Sequence, residues 1–470
     1  MARGARGAPG AGGVMSATLD ARRAAGRRLR AEVPRRALAE VADRPDGYDP
    51  VQRLMWQGES RVAALLPLRY QRMSVNPLAF YRGAALLMAE DLALGESTPL
   101  EVQICGDAHA ANFGVFSSPE RRLVFDLNDF DETDVGPFEW DVKRLATSLA
   151  LAADQLGADD ATRTAVVEDV AAAYQRSVAL FAAATRLETW YAALDVELDL
   201  SELRGFFTDA AARAVDDVIR RARNREAKSF AGLVTTIDGA PRIRVDPPLV
   251  TAIGAVVDPT LLDRPGVEGI IAGYAGTLNN DRRALLSQFT PVDAAHIVRG
   301  VGSVGTQCFA VLLIGRDEED LMFLQVKEAQ RSVVAVARGA SEPREPGDRV
   351  VAGQQMMQAT PDILLGWFSV EADRASRSFY VRQLYDQRAA VALERLSVTQ
   401  LRAYGRACAW VLARAHARSG QAAEIAGYVG VGRQWALCIG AFAVAYRDRT
   451  HQDFRAFTDA LAQGRVRAAT

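Results

Sequence analysis

The spacing of apolar residues changes twice along this 470-residue chain, and the change limits the folds that the chain can adopt. From about residue 51 to 235 the pattern is mostly helical, apart from short strand-like runs such as LEVQICG (100–106) and RRLVFDL (121–127). Residues 296–390 read as strands joined by turns, and helical periodicity returns from 391. This order predicts an α+β protein with a β-rich segment between two helical ones.

The composition favours an ordinary globular protein and excludes several classes. The formal net charge of −2 gives no basic surface for nucleic acid, and no run approaches the roughly twenty apolar residues that a membrane helix needs. Four separated cysteines without a CxxC pair indicate a reduced, cytoplasmic protein. Residues 1–48, rich in Arg, Ala and Gly, are predicted to be a disordered basic extension in which Met15 could be the true start.

Polar residues that suit phosphate and metal chemistry follow the first strand-like run. CGDAHAANF places Asp107 five residues before Asn112, and LVFDLNDFDE then supplies Asp126, Asp129 and Asp131. In phosphoryl transfer an Asp orients the substrate hydroxyl, while an Asn and a later Asp hold magnesium. Two hairpins with polar turns remain the alternative reading of this stretch.

A second candidate motif lies far downstream. GVGSVGT gives Gly300, Gly302 and Gly305 in G-x-G-x-x-G spacing, with Ser303 between them, and the following strands carry Lys327. Glycines let backbone N–H groups approach phosphates closely, and a strand lysine would neutralise phosphate charge. A plain antiparallel hairpin is the alternative. The chain has three lysines, and the other two, Lys143 and Lys228, lie in helical patterns where solvated or paired side chains are expected.

The stretch CGDAHAANFGVF…FDLNDFDETDVGPFEWD resembles the catalytic region of aminoglycoside phosphotransferases and related small-molecule kinases. The resemblance implies that Asp107 is the catalytic base and Asn112 a magnesium ligand. Matching the family's Gly-Asp-Pro turn and structural Asp to Gly136, Pro137 and Asp141 makes Asp129 the metal ligand, with Asp126 and Asp131 as runners-up. His109 matches the family's second histidine, whereas Cys105 replaces the first, which normally braces the loop.

The kinase parts occur in reversed order, since the catalytic loop precedes the nucleotide-covering hairpin. The resemblance therefore implies a two-lobed, protein-kinase-like fold with circularly permuted order. Residues 49–295 would form the helical catalytic lobe, 296–390 the nucleotide-binding lobe, and 391–470 helices that return to the catalytic lobe, including one at 407–417 like that before a kinase catalytic loop. The hypothesis requires Lys327 to lie within about 10 Å of Asp107 or Asp129 around one triphosphate.

Kinases pair the strand lysine with a helix glutamate, but the helix predicted at 348–359 offers Gln354 and Gln355 there, and Glu328 falls on the opposite strand face from Lys327. Arg69, Arg72 and Arg82 either contact phosphate or, as the favoured reading, form ion pairs with the acidic cluster. His416 is expected to be a packed core residue.

Residues 45–465 as a whole are similar to an uncharacterised bacterial family, the domain of unknown function 2252 family, through stretches such as VGVGSVGTQCF, LQVKEA and YVRQL. The resulting expectation is an ATP- and Mg²⁺-dependent phosphotransferase that acts on a small-molecule hydroxyl, with Asp107 and Lys327 catalytic. A nucleotide-binding regulatory protein with little catalysis and a metal-dependent hydrolase that uses the Asp cluster are the alternatives.

Overall fold

A computed structural model describes residues 18–469 except 197–231, 254–263, 299, 303, 342, 373–374 and 385–388. Its architecture is mixed α+β. The described helices of the N-terminal half are α1 (Leu19–Arg28), α2 (Pro50–Gly58), α3 (Leu66–Met73), α4 (Pro77–Gly83), α5 (Ala85–Leu94), α6 (Phe138–Gln155), α7 (Asp160–Ala183) and α8 (Arg186–Tyr191). Those that follow are α9 (Arg264–Gly276), α10 (Asn280–Leu286), α11 (Val333–Arg338), α12 (Pro346–Met357), α13 (Val398–Arg418), α14 (Ala422–Val429) and α15 (Gln434–Ala462).

The strands in the described part fall into four sheets, and neighbouring strands pair antiparallel throughout. In chain order the strands before residue 260 are β1 (Glu101–Ile104), β2 (Phe113–Ser117), β3 (Leu123–Leu127), β4 (Asp134–Pro137), β5 (Leu194–Asp195), β6 (Val234–Ile237), β7 (Ala240–Ile243) and β8 (Val250–Ala252). The later strands are β9 (Thr290–Ile297), β10 (Cys308–Ile314), β11 (Leu321–Ala329), β12 (Gly366–Ala372), β13 (Ala375–Gln383) and β14 (Ala389–Ala390).

The largest hydrophobic core lies among the long helices α6, α7, α13 and α15 and the short strands β1 to β3. Side-chain caps start two of these helices: Asp159 accepts from Thr162 N–H before α7, and Ser397 with Gln400 forms a capping box before α13. Residues of α11, α12 and β13 join the same core, so the helical part and the β-rich part share one interior.

The six-stranded sheet has the order β12-β13-β11-β10-β9-β8, and the candidate site residues of the β-rich part lie on one of its faces. Lys327 of β11 pairs in register with Cys308 on one side and Tyr380 on the other. Because side chains alternate along a strand, Lys327, Tyr380 and Arg382 share a face. On the opposite face, Tyr274 of α9, Leu286 of α10 and Leu278 of the turn between them join the core.

Two predicted boundaries are wrong. The predicted disordered extension 1–48 contains α1, whose Arg22 forms an ion pair with Glu424 of α14 at 2.6 Å; the apolar and ionic contacts of this segment with the C-terminal helices explain its order. The β-rich part does not start at residue 296, since β8 and β9 belong to its sheet and α9 packs on β12. Lys228 lies outside the described residues.

In the part of the chain that the structure describes, no single helix is both long enough and apolar enough to cross a bilayer. The pair α14 and α15, which is bent by 86°, has that length and composition only when the two helices are counted together. All four cysteines are buried, and none of them forms a disulfide in the described structure.

Candidate functional site

The predicted catalytic loop begins where β1 ends and lies directly against the acidic loop 128–132. Gly106 adopts a φ of 74°, and a Cβ atom there would stand 2.2 Å from the carbonyl oxygen of Glu132. Only glycine combines this left-handed backbone with so close an approach. The contact brings the two polar stretches of the sequence, 105–112 and 126–132, into one place.

Asp141, at the start of α6, holds the loop through its backbone. Its carboxylate accepts from Cys105 N–H at 2.6 Å and from Gly106 N–H at 2.9 Å. His416 Nε2 of α13 lies 3.3 Å from the same carboxylate, and its Nδ1 lies 2.8 Å from the Tyr174 hydroxyl. His416 is fully buried, as expected, but its contact with Asp141 was not predicted, because no local pattern indicates that residues 141 and 416 meet.

Asp107 is a partly accessible carboxylate beside a buried arginine. Arg144 Nε of α6 donates to Asp107 Oδ1 at 2.6 Å, and 21% of the Asp107 side chain is exposed. Burial raises the pKa of Asp107 to about 6, and the Arg144 charge opposes this rise. His109 Nε2 stands 3.8 Å from Asp107 Oδ2, and burial lowers the pKa of His109 well below its usual value, which keeps the imidazole neutral.

Asn112 joins the catalytic loop to the acidic loop. Its Nδ2 donates to the carbonyl oxygens of Asp107 at 3.1 Å and Asp129 at 2.9 Å, while its Oδ1 accepts from Asp129 N–H at 2.8 Å. The Sγ atom of Cys105 packs here and lies 3.3 Å from the Asp129 carbonyl oxygen. The Asn112 oxygen has two lone pairs and uses one of them in these contacts.

The first candidate carboxylate after the catalytic loop, Asp126, is sealed in the core. Both of its oxygens lie 2.7 Å from Arg414 Nη2, and they also accept from the N–H groups of Leu127 and Ala359. The two charged side chains are 1% and 2% exposed. Asp126 therefore has no accessible oxygen for a metal.

The other two carboxylates, Asp129 and Asp131, meet Lys327. Lys327 Nζ contacts Asp131 directly and lies 3.6 Å from Asp129 Oδ2. Asp131 also accepts from the Tyr380 hydroxyl at 2.8 Å, whereas 44% of the Asp129 side chain is exposed. Although burial acts in the opposite direction, the charges of Lys327 and Arg382 hold the pKa of Asp129 well below its usual range. Asp129 is thus an ionised and accessible carboxylate.

Lys327 satisfies the distance that the permuted arrangement requires, but it faces the acidic loop and not a helix. The predicted helix forms as α12, where Gln354 Nε2 donates to Gln358 Oε1 at 2.8 Å, and Gln355 is exposed. With 4% of its side chain exposed, Lys327 is enclosed behind Asp131, and the two carboxylates raise its pKa despite the burial. In this arrangement Lys327 positions the acidic loop.

Arginine side chains hold the glycine-rich loop, residues 300–305, through hydrogen bonds to its backbone. Arg61 Nη1 donates to the carbonyl oxygens of Gly302 and Val304, both at 2.8 Å, and Arg69 and Arg72 donate to those of Gly302 and Gly300. In the described structure Arg69 and Arg72 therefore form no ion pair with the acidic cluster, contrary to expectation. Their guanidinium groups donate to backbone carbonyl oxygens of the glycine-rich loop instead.

The backbone of this loop needs glycine at two positions. Gly300 and Gly305 have φ values of 69° and 92°, which favour glycine. Gly305 also accepts from Val62 N–H at 2.7 Å through its carbonyl oxygen. Ser303 lies outside the described residues.

A cavity of 740 Å³ separates the catalytic loop from the glycine-rich loop. Its lining includes Asp107, Asn112 and Asp129 from one side and Gly300 and Gly302 from the other. A volume of this size suits a drug-sized ligand. The two predicted motifs, separated by nearly two hundred residues, thus line one cavity.

Arg382 of β13 is a cavity residue that the sequence interpretation missed. Its guanidinium donates to Gln325 Oε1 and to the Asn128 carbonyl oxygen, both at 2.9 Å, and it lines the cavity beside Asp129. The stretch YVRQL carried the signal, because Arg382 lies two positions after Tyr380 and so on the same strand face.

The candidate metal ligands are few. Among the described residues, no group of three His, Cys, Asp or Glu side chains stands ready to hold a metal. Asn112 and Asp129 offer one amide oxygen and one carboxylate at the cavity wall. Mg²⁺ is commonly bound by one or two carboxylates with water and substrate phosphates, so these residues fit a magnesium that arrives with a nucleotide.

Comparison with known proteins identifies a family and nothing finer. A family model described as an uncharacterized protein conserved in bacteria, DUF2252, matches residues 61–460. No curated protein and no solved structure matches the chain.

Proposed function

The chain belongs to this bacterial family, and we propose that it is an ATP- and Mg²⁺-dependent phosphotransferase that acts on a small-molecule hydroxyl. One observation carries the proposal: Asp107, Asn112 and Asp129 share a cavity with the glycine-rich loop, while Lys327 contacts the acidic loop behind it. Phosphoryl transfer depends chiefly on positioning and charge stabilisation, and these are the residue types that supply both.

Asp107 would accept the proton of the acceptor hydroxyl. Its Oδ1 is held by Arg144, so Oδ2, which faces His109, is the oxygen left to receive that proton. A pKa near 6 leaves most of the carboxyl ionised at neutral pH and close enough to be an effective base.

Asn112 and Asp129 would hold the metal, and Gly300, Gly302, Ser303 and Gly305 would bind phosphate oxygens through the backbone. Bound Mg·ATP would supply the phosphoryl group and a leaving group neutralised by the metal. Lys327 keeps Asp129 ionised and fixes Asp131 in place; a direct phosphate contact would require it to leave Asp131. Arg382 adds positive charge beside Asp129.

The contacts between the lobes support a kinase-like fold with permuted order. Lys327, Tyr380 and Arg382 from the six-stranded sheet all reach the loop 128–131 that follows β3. The helix predicted to precede the catalytic loop is part of α13, and it holds that loop through His416 and Asp141. Four cysteines without a disulfide and a need for ATP favour a cytoplasmic protein.

A regulatory nucleotide-binding protein is the second candidate, because Lys327 is enclosed by Asp131 and Asp107 is held by Arg144. A hydrolase that uses the Asp cluster is weakly supported, since Asp126 is sealed by Arg414 and the described residues offer no third acidic or histidine ligand.

Transfer of the γ-phosphoryl group to a panel of hydroxylated small molecules tests the proposal. We expect at least one acceptor to be phosphorylated, and Asp107→Asn to lower kcat by about 100- to 10,000-fold. Asp160→Asn, at a side chain that is 96% exposed, is the matched control and should leave kcat unchanged. Binding of Mg·ATP without turnover of any acceptor would favour the regulatory protein.

A further inference from the structure

Arg82, on α4, is a cavity residue that the proposed chemistry does not use. Within the described part of the chain its guanidinium makes no hydrogen bond or ion pair, and its Nε is buried without a partner. It lines the same cavity as Asp107 and His109, and its charge acts on both of them. Glu394 contributes an opposite charge without forming an ion pair with Arg82 in the described structure.

The other arginines that line the cavity in the described residues already have partners. Arg61 and Arg69 donate to the glycine-rich loop, Arg331 donates to the Ala340 carbonyl, and Arg382 donates to Gln325 and Asn128. A guanidinium stays charged at neutral pH, and withdrawing it from water is costly unless an anion or hydrogen-bond acceptor faces it. Arg82, whose Nε is buried without a partner, is therefore the arginine of the described cavity lining that remains available to bind an anion.

His109 has the same deficiency next to Arg82. Its Nδ1 is buried and has no hydrogen-bond partner. Its other nitrogen, Nε2, points toward Asp107 Oδ2 at 3.8 Å. Arg82 and His109 both line the cavity that holds the proposed base, so two side chains with an unsatisfied nitrogen atom stand in its wall.

We propose that Arg82 and His109 bind an anionic group of the acceptor, a carboxylate or a phosphate, so that the acceptor is an acidic hydroxyl compound and not a cationic amino sugar. The inference rests on the phosphotransferase proposal and names its substrate class. An anion held by Arg82 lies beside Asp107, which would set a neighbouring hydroxyl of the same molecule against the base. A guanidinium can donate two parallel hydrogen bonds to one carboxylate or phosphate, and this pairing fixes the orientation of the bound molecule.

Thermal shifts without nucleotide test the inference with matched compounds at about 10 mM: glycerate against glyceramide, glycerol 3-phosphate against glycerol, and kanamycin as the cation. We expect glycerate, glycerol 3-phosphate or both to raise Tm, and their neutral counterparts and kanamycin to have no effect. The two anionic arms distinguish a carboxylate from a phosphate. Arg82→Gln should weaken binding of the active anion by about 10- to 100-fold, and Arg82→Lys by less.

Arg433→Gln is the matched control, because this arginine is 80% exposed and lies away from the cavity lining. The inference is overturned if no anionic compound raises Tm, if a neutral or cationic compound does so equally, or if Arg82→Gln keeps the anion shift. It is also overturned if Arg82→Gln abolishes the shift by Mg·ATP, since Arg82 would then contact the nucleotide. Absence of any Mg·ATP shift in the wild type is a separate result that contradicts the phosphotransferase proposal.

Discussion

Asp126 and Asp129 stand three positions apart, yet their surroundings are opposite. Asp126, at the end of β3, shares a fully enclosed ion pair with Arg414, whereas Asp129, in the loop that follows, is 44% exposed and meets Lys327 at the edge of the cavity. The first region is closed on every side by helices and strands. The second is open on the side where a ligand would enter.

This difference separates a structural carboxylate from a candidate metal ligand. A buried pair with all of its oxygens engaged contributes to the fold but can accept nothing further. An accessible carboxylate whose ionised form is held by nearby cations can bind a metal at neutral pH.

Arg414→Met should lower the free energy of unfolding by about 3–5 kcal/mol, because it leaves the Asp126 charge buried with only two backbone N–H groups. Chemical denaturation measures the loss. The double variant Asp126→Asn with Arg414→Met removes both charges and should recover part of it. A loss below about 1 kcal/mol for the single variant would show that the pair is not sealed.

Asp129→Asn should leave the free energy of unfolding within about 1 kcal/mol of the wild type, because the side chain is half exposed and Lys327 keeps Asp131. The same change should lower kcat for phosphoryl transfer by about 100- to 1,000-fold through loss of a metal ligand. Stability and turnover are measured on the same preparations. Normal turnover in this variant would exclude Asp129 as the ligand.

Tyr380→Phe should cost about 1.5–3 kcal/mol of stability, because the hydroxyl that it removes donates to the half-buried carboxylate of Asp131, which also contacts Lys327. Tyr404→Phe is the matched control, since the Tyr404 hydroxyl donates to the neutral carbonyl of Ala110 at 2.6 Å and should cost about 0.5–1.5 kcal/mol. Equal losses in urea denaturation would mean that Asp131 carries no charge.

Turnover should fall with decreasing pH below about 6. Burial raises the pKa of Asp107 to about 6, so the base is ionised above that value and protonated below it, and kcat/KM should drop about tenfold per pH unit on the acid side. Glu132 also lines the cavity, and burial raises its pKa to about 7, but its Oε2 accepts from Val333 N–H. Glu132→Gln should therefore keep the acid limb; its disappearance would reassign the base.

The sequence predicts the residue types at the site better than their partners. The spacing of Asp107, Asn112 and the acidic cluster is local, and a glycine-rich turn before a strand lysine is local too, so both motifs could be found. The partner of Lys327 could not be predicted, because Asp131 lies in a distant part of the chain and meets Lys327 only in the folded structure. Asp126 could not be excluded, since Arg414 lies 288 positions away.

The limits of the extension and of the β-rich part were misplaced for a similar reason. An Arg- and Ala-rich N-terminal segment gives no local sign that Arg22 will meet Glu424. Likewise, nothing in the short β8 segment indicates that it forms the edge of a sheet whose other strands are β9 to β13. Both depend on contacts between distant segments, which override local propensity.

The central claim is that the two motifs form one site for Mg·ATP, and the change of Tm with nucleotide concentration tests it most directly. A ligand that binds only the folded chain must raise Tm. The account predicts a rise with Mg·ATP that disappears when EDTA removes the metal and in Asp129→Asn, but persists in Asp160→Asn. No rise in the wild type at about 5 mM Mg·ATP, or an equal rise with and without metal, would contradict it.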